Sequence, residues 1–148
     1  MQQHLNISNK KAYFEFEILE KFVAGMELTG TEIKSIRNGK ANMSDAFCSF
    51  SGTELFVRNL HISEYELGTH YNHEPKRARR LLLQKKELKK LLNKVKEKGL
   101  TIMPLKIFLS STGYAKIEIG LAKGKKIHDK RDSIKEKDLK RDMARENS

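Results

Sequence analysis

Two histidines, His70 and His73, have the one spacing in this sequence that could support metal chemistry. Imidazoles three residues apart bind zinc when a helix or strand orients both rings and a third ligand lies near. The segment around them, THYNHEPKRARR, has no helical or strand periodicity, and no third ligand stands at a matching spacing. We therefore expect polar loop residues here, with no metal site and no cofactor.

Residues for nucleophilic or acid–base catalysis are equally sparse. The single cysteine, Cys48, lies in the apolar-rich run MSDAFCSF, so we expect it in the core rather than as a reactive thiol. The sequence has no nucleophile elbow, no paired-carboxylate motif and no glycine-rich phosphate loop. A nuclease needs clustered acids to hold Mg²⁺, whereas the acids here are dispersed among cations. The sequence therefore predicts a binding protein and not an enzyme.

The charge balance indicates what the protein binds. The chain has 148 residues with 30 Lys and Arg against 19 Asp and Glu, a formal net charge of +11. Such a basic balance favours polyanionic partners such as nucleic acid. No run of 18 apolar residues exists, and the first residues, MQQHLNISNKK, lack the apolar stretch of a signal peptide. We expect a cytoplasmic protein without a membrane partner.

Basic side chains fall into five groups along the chain, of which two need comment. The lysine face of residues 85–98 is explained most simply as a solvated helix surface. The four cations of PKRARR are costly to concentrate beside an apolar anchor, so a polyanion explains them better. Tyr65 and Tyr71 in the same loop could stack on bases or pack structurally, and the sequence leaves both open. The five groups are residues 9–11, 34–40, 76–80, 85–98 and 123–148.

Periodicity and turn residues predict the elements that must position these groups. Phe14, Phe16 and Ile18 alternate with acids, which predicts a half-buried strand. The run TGTEIKSIRNG predicts a short helix capped by a threonine, with Glu32 near its positive end. A second helix follows in KKELKKLLNKVKEKG, after a long loop over residues 64–80.

Two hairpins complete the predicted fold. Their turns fall at Ser51-Gly52-Thr53 and at SSTG, and Pro104 marks an edge or a bulge in the strand before the second turn. The pattern predicts a mainly β fold: an OB-like closed barrel of about six antiparallel strands with Greek-key links and two to three helices.

The composition changes after Leu121. Residues 123–148 contain ten Lys and Arg and six acids, a net charge of +4, with four sizeable apolar residues. So few apolar side chains cannot offset roughly 1–2 kcal/mol of backbone entropy per residue. We expect a barrel domain over residues 1–122 and a basic tail over 123–148 that is disordered when free and becomes helical on a partner surface.

Six stretches in one order together resemble the SsrA-binding protein family (small protein B, SmpB) of bacterial trans-translation. They extend over about residues 9 to 139, which is nearly the whole chain. The stretches are NKKAYFEFEILEKF, GTEIKSIRNGKANMSDAF, NLHISEYE, HEPKRARRLLLQKKEL, GLTIMPLKIF and GLAKGKKIHDKRDSIKEKD.

The resemblance implies a specific RNA partner and a task. Members of the family bind the tRNA-like domain of transfer-messenger RNA (tmRNA, SsrA RNA) at its elbow, in place of an anticodon arm. They deliver it to stalled ribosomes for rescue and peptide tagging, and their tail occupies the decoding centre and the empty mRNA channel. The resemblance thus implies a barrel for tmRNA and a tail for the ribosome. We expect a monomer that binds the RNA one to one.

The resemblance also implies two sets of contact residues. At Val23 the family often carries an acid, so a polar contact at that position is not expected here. His128 could stack on a base of the decoding centre, and Asp129 could cap the induced helix. The tmRNA set is Asn9, Lys10, Lys11, Glu32, Lys34, Arg37, Lys40, Asn42 and Leu82. The ribosome set is Lys123, Gly124, Lys125, Lys126, His128, Asp129, Lys130 and Arg131.

Two other functions remain open from the residues alone. A generic OB-type binder of single-stranded nucleic acid would also have a basic barrel, but it would prefer unstructured strands to a folded RNA. A nuclease or RNA-modifying enzyme would need the acid cluster or nucleophile–base pair that the sequence lacks.

Overall fold

A computed structural model describes residues 5–67 and 72–125. Three helices, α1 to α3, and nine strands, β1 to β9, lie within these two ranges. The helices are α1 Lys10–Glu15, α2 Gly30–Arg37 and α3 Lys85–Lys94. The strands are β1 Asn6–Ser8, β2 Phe16–Met26, β3 Ala41–Asn42, β4 Phe47–Ser51, β5 Glu54–Arg58, β6 His61–Ile62, β7 Arg79–Leu82, β8 Leu100–Leu109 and β9 Ala115–Gly124.

Six of the strands form a closed ring. Their order is β8–β4–β5–β7–β2–β9, and β9 pairs again with β8. Every pairing is antiparallel, and β1 adds to β8 on the outside of the ring. Neighbours such as β2 and β7 are far apart in sequence, as Greek-key links require. The predicted mainly β fold is therefore confirmed.

The interior of the ring is apolar and densely filled. Leu55, Val57, Ile107, Ile117 and Ile119 are completely buried. These side chains alternate along β5, β8 and β9 with residues that point outward, which is the period of a strand with one buried face. Cys48 also lies in this core, as predicted, and burial raises the pKa of its thiol.

One predicted strand begins later than expected. Phe14 lies in α1 and is 53% exposed, and β2 begins only at Phe16. The side chain of Asn9 caps α1, because its Oδ1 accepts from the N–H of Ala12 at 3.2 Å. The start of the strand that the alternation of Phe14 with Phe16 predicted was therefore wrong.

The strand after α3 bends where the sequence predicted it. Proline has no N–H to give to the ladder, and the register between β8 and β9 shifts between Pro104 and Lys106. On its other edge β8 pairs with β4 at Ile102 and with β1 at residues 106–108. One edge of β8 thus pairs with β4 before the bulge and with β1 after it.

Both predicted helices and both hairpins are present. Thr29 caps α2, and Gly39 follows the helix with a positive φ of 72°. Helix α3 buries Leu91 completely and ends at Lys94, before the predicted stop at Gly99. In residues 5–67 and 72–125, no helix combines the length and the apolar character needed to cross a membrane.

Close packing at Gly120 gives a stability prediction. A Cβ added there would lie 2.8 Å from Ile18 Cγ2 and 2.9 Å from Leu105 Cδ1, inside the core. We expect Gly120→Ala to lower the free energy of unfolding by roughly 1–3 kcal/mol through overpacking. Gly124→Ala, on the same strand with no atom within 4 Å of the added carbon, is the control. Urea unfolding measures both variants, and equal stability would contradict the packing assignment.

Candidate nucleic-acid interface

A buried carboxylate organises the part of the protein that carries most of the predicted contacts. Glu32 lies in the first turn of α2 and is completely buried. Its Oε1 accepts from the backbone N–H of Thr29 at 2.8 Å and from Arg77 Nη2 at 2.7 Å. Its Oε2 accepts from Arg79 Nε at 2.5 Å and from Arg77 Nε at 3.3 Å. We call Glu32, Arg77 and Arg79 the ion cluster.

Arg79 links the ion cluster to three backbone carbonyls in two segments of the chain. It is itself completely buried, and its Nη1 donates to the carbonyl of Leu60 at 2.6 Å. Its Nη2 donates to the carbonyls of Pro75 at 3.0 Å and Glu74 at 3.3 Å. Because each donor has a protein acceptor, the buried charge is both paired and hydrogen-bonded. The segment before β7 is thereby fixed against α2.

The cations of PKRARR therefore have a different role from the one predicted. Arg77 and Arg79 share the single carboxylate of Glu32, Arg79 inside the protein and Arg77 with a side chain that is 37% exposed, and Arg80 pairs with Glu27 at 2.8 Å on the surface. These pairs offset part of the mutual repulsion of the three arginines, and Glu32 leaves one positive charge of Arg77 and Arg79 uncompensated. The predicted loop also ends sooner, because β7 begins at Arg79.

The environment of Glu32 stabilises its charged form. Burial raises the pKa of its carboxyl, but hydrogen bonds from Arg77, from the Thr29 backbone and from Arg79 outweigh burial. Together with the charge of Arg79 they lower the pKa from 4.5 to about 2. The group is therefore ionised in the folded protein down to strongly acidic pH.

Two predicted contact residues do not reach the surface. Glu32 is 0% exposed, and Asn9 is 4% exposed. The Nδ2 of Asn9 donates to the carbonyl of Pro104 at 2.8 Å while its Oδ1 caps α1. In this conformation both side chains are bonded within the protein, and direct RNA contact by them stays a prediction. They position α1 and α2, whose exposed residues can make contacts.

One group of predicted residues lies around the start of α1. Asn9, Lys10, Lys11 and Asn42 line a shared cavity of about 300 Å³. Both lysines are exposed, and Asn42 Oδ1 accepts from the N–H of Ser44 at 2.8 Å. The fold therefore brings together residues that are more than thirty positions apart in sequence.

A second group lies on α2 and just after it. Lys34, Arg37 and Lys40 are all exposed. Arg37 Nη2 donates to the carbonyl of Gly113 at 3.1 Å, which joins α2 to the turn between β8 and β9. Lys34 Nζ lies 5.5 Å from the centroid of the Tyr65 ring, a cation–π contact.

The third feature is an apolar patch on the outside of the ring. Leu82 is 46% exposed and pairs in register with Gly25 of β2. Val23 stands two residues before Gly25, on the same face, and is 48% exposed. The position where the family often carries an acid is therefore an apolar surface beside Leu82.

The predicted ribosome residues begin at the far end of β9. Lys123 and Gly124 are the last residues of that strand, so β9 extends past residue 122. The backbone N–H of Lys125 donates to the carbonyl of Glu15 at 3.0 Å, and its Nζ donates to that of Tyr13 at 2.6 Å. Lys126, His128, Asp129, Lys130 and Arg131 lie outside the described residues, as does most of the predicted 123–148 tail.

The two ends of β9 separate the group on α2 from the start of the tail, whereas the group on α1 lies near the tail end, because Lys125 contacts Glu15 and Tyr13. Its first residues follow the hairpin turn that Arg37 contacts, and its last residues lead into the tail. Ten residues at about 3.3 Å each place these ends roughly 30 Å apart.

His73 has a structural role. It is 7% exposed, and its ring nitrogens make hydrogen bonds with Thr31 Oγ1 at 2.9 Å and with the carbonyl of Ile62 at 2.8 Å. His70 lies outside the described residues. Across the two described ranges, no three His, Cys, Asp or Glu side chains are placed to hold a metal ion.

Sequence reasoning missed the ion cluster, which joins residues 45 and 47 positions apart. One signal was present: Thr29 and Glu32 stand at the spacing of a capping box, and both reciprocal bonds form. That spacing indicates that Glu32 faces the protein backbone and not solvent.

Comparison with known proteins gives one consistent result. The family model described as "SmpB protein" matches residues 6–148. An SsrA-binding protein of Flavobacterium psychrophilum is 58% identical over 145 residues, 98% of this chain and 97% of the relative. One from Cytophaga hutchinsonii is 58% identical over 143 residues, 97% of this chain and 94% of the relative.

A solved structure agrees in fold as well as in sequence. It is described as "tmRNA-SmpB: a journey to the center of the bacterial ribosome". It is 48% identical and superimposes with a TM-score of 0.69, covering 82% of this chain and 85% of that chain.

The lowered pKa of Glu32 predicts how stability depends on pH. A group with a depressed folded-state pKa contributes stability above its unfolded pKa of about 4.5 and loses it as pH falls toward 2. We expect Glu32→Gln to be destabilising at pH 7 by roughly 3–5 kcal/mol, because it leaves buried Arg79 without its counter-ion. The loss of unfolding free energy in Glu32→Gln, relative to the wild-type protein, should be smaller by about 2 kcal/mol at pH 3 than at pH 7.

Urea unfolding of both proteins at pH 7, 5 and 3 measures this difference. Glu27→Gln, which breaks the exposed pair with Arg80, should cost under about 1 kcal/mol with little pH dependence. If Glu32→Gln lowered the free energy of unfolding by the same amount at every pH, that result would contradict an ionised, paired Glu32.

The contacts of Lys125 predict local stability in α1. Its ammonium stabilises a carbonyl near the C-terminal end of that helix, where cations are favourable. We expect Lys125→Met to speed amide hydrogen exchange in residues 12–15 by about fivefold. Lys123→Met, on an exposed strand residue two positions earlier, is the matched control. Equal exchange in the two variants would show that the contact is not formed in solution.

Proposed function

The chain belongs to the SmpB family, and from this we propose that it binds tmRNA and delivers it to stalled ribosomes for trans-translation. The observation that carries the proposal is the family match over residues 6–148, together with relatives 58% identical across nearly the full length. The same match supports tmRNA and the ribosome as its partners. A monomer with one RNA and no cofactor, working in the cytoplasm beside ribosomes, is the simplest form of this proposal.

The RNA would be held by exposed groups on prearranged supports. Lys10 and Lys11 on α1, and Lys34, Arg37 and Lys40 on or beside α2, would contact phosphates, where each released counterion favours binding. Asn42 would add a polar contact and Leu82 an apolar one. In this arrangement Asn9 and Glu32 act through the helices that they hold. Such fixed supports favour a folded RNA surface over a flexible strand.

The tail would act on the ribosome and not on tmRNA. Lys123, Gly124 and Lys125 start it roughly 30 Å along β9 from the end that Arg37 contacts. The basic motif through Arg131 would approach ribosomal RNA, with His128 stacking on a base and Asp129 capping an induced helix. For the cations on α2 this separation supports a division of labour between the barrel and the tail, whereas Lys10 and Lys11 lie on the helix that the start of the tail contacts.

No chemical step is assigned to the protein. The family is one of RNA-binding factors. The titratable groups with shifted pKa values in the described residues are a core thiol and the ion-paired side chains around Glu32 and Arg80. We therefore propose that it acts by binding and positioning alone. A generic binder of single-stranded nucleic acid would have the same basic surface. It differs from the proposed function in that it would prefer unstructured strands to a folded RNA.

Truncation of the tail tests the division of labour. The cut belongs after Lys125, because β9 is paired through Gly124 and Lys125 contacts α1. We expect the protein ending at Lys125 to bind tmRNA with an affinity within about threefold of that of the full chain. We expect it to support no peptide tagging on stalled ribosomes. Tagging by the truncated protein, or loss of its tmRNA affinity, would contradict this division.

A competition experiment with the full chain tests whether the protein prefers a folded or an unstructured RNA. Unlabelled tRNA-like domain should displace bound tmRNA at far lower concentration than an unstructured oligonucleotide of equal length. The reverse preference would favour the generic single-strand binder.

A further inference from the structure

A polar cavity lies between the end of α2 and the segment that follows β6. It has a volume of about 360 Å³, at the small end of the range for ligand sites. We call it the Tyr65 cavity. Its wall is formed by Ser35, Asn38, Lys40, Ser63, Glu64, Tyr65, Glu66 and Leu67.

The backbone around this cavity is fixed from both sides. The N–H of Tyr65 donates to Asn72 Oδ1 at 3.1 Å, and Asn72 Nδ2 donates back to the Tyr65 carbonyl at 2.8 Å. The N–H of Ser63 donates to the carbonyl of Lys40 at 3.0 Å. Because these bonds join both walls to their neighbours, the position of Tyr65 is set before any ligand arrives.

The cavity wall combines an aromatic ring with one cation and two carboxylates, and a second cation, Lys34, lies over the ring from outside the wall. Tyr65 is half-buried, and Lys34 Nζ lies 5.5 Å from its ring centroid. Lys40 is exposed at the rim. Aromatic faces bind nucleobases by stacking, and lysines bind the phosphate attached to the base. The carboxylate of Glu64 on the same rim can accept from a base amino group.

A buried hydroxyl gives an independent indication of a missing partner. Ser35 is 1% exposed, and its Oγ has no hydrogen-bond partner in the part of the chain that the structure describes. Buried polar atoms without partners are rare in folded proteins. Ser35 forms part of the cavity wall, so rotation of its side chain toward the cavity would bring the hydroxyl to a ligand there.

We propose that the Tyr65 cavity binds one unstacked nucleotide of the RNA partner. The base stacks on Tyr65, Lys34 and Lys40 neutralise its phosphate, and the hydroxyl of Ser35 turns to hydrogen-bond with the base edge. This inference rests on the proposed function and adds to it a site for a base extruded from a loop of the folded RNA.

Three variants of the full chain test the site, with tmRNA as the probe. Tyr65→Leu removes the ring, and we expect it to weaken tmRNA binding by about tenfold. Ser35→Ala removes the unpartnered hydroxyl, and we expect about fivefold weaker binding with an unchanged or higher melting temperature. Phe108→Leu is the matched control, because Phe108 also lies under a lysine, with Lys106 Nζ 5.6 Å from its ring centroid. It should bind within about twofold of the wild-type chain.

The stability measurement separates binding from folding. A purely structural Ser35 would show wild-type affinity after replacement, and that result would overturn its role. Wild-type tmRNA affinity of folded Tyr65→Leu would overturn the assignment of the cavity to a nucleotide of the RNA while leaving the proposed function intact. Failure of the wild-type chain to bind tmRNA would instead contradict the proposed function.

Free nucleotides distinguish the source of the ligand. In a second experiment, the four nucleoside monophosphates are added together at millimolar concentration to the wild-type chain and to Tyr65→Leu. Binding is followed by the amide NMR shifts of residues 34–40 and 63–65. If Tyr65→Leu abolished these shifts but left tmRNA affinity unchanged, the cavity would be a site for free nucleotides, and its assignment to RNA would fail. Loss of tmRNA affinity, with or without such shifts, supports the assignment.

Discussion

The carboxylate of Glu32 is the point at which separate segments of this chain are joined. A buried charge without partners costs several kcal/mol, so its position requires Arg77 and Arg79 to be in place. Arg79 in turn requires the carbonyls of Leu60 and Pro75. Helix α2, the link between β5 and β6, and the start of β7 are therefore fixed by one set of mutually dependent contacts.

This constraint determines which cations are free to bind a partner. Charges that are buried and paired, as Glu32 and Arg79 are, hold the backbone and leave little for a ligand. Those on the surface, such as Lys34 and Arg37, stay exposed on a helix whose first turn is anchored by Glu32. The same principle applies at α1, where buried Asn9 fixes the helix that exposes Lys10. A prearranged cationic surface of this kind loses little entropy when it meets a folded RNA.

Much of the fold could be predicted because its signals are local. The alternation of β5 and β9, the glycine turns, the capped helix α2 and the bulge at Pro104 each depend on residues close together in sequence. The start of α1 could not be read from the alternation of Phe14 with Phe16, because capping by Asn9 decides it. The roles of Asn9 and Glu32 were missed for a related reason. Their burial depends on partners 45 to 95 residues away, which no local pattern contains.

The central claim is that a preorganised barrel recognises one folded RNA, and the RNA that the protein carries in its native cells tests it most directly. Affinity purification of the full chain from those cells, followed by sequencing of the bound RNA, gives the answer. The account predicts tmRNA as the dominant species, far above its share of total cellular RNA. A mixed pool of single-stranded fragments without enrichment of tmRNA would contradict it.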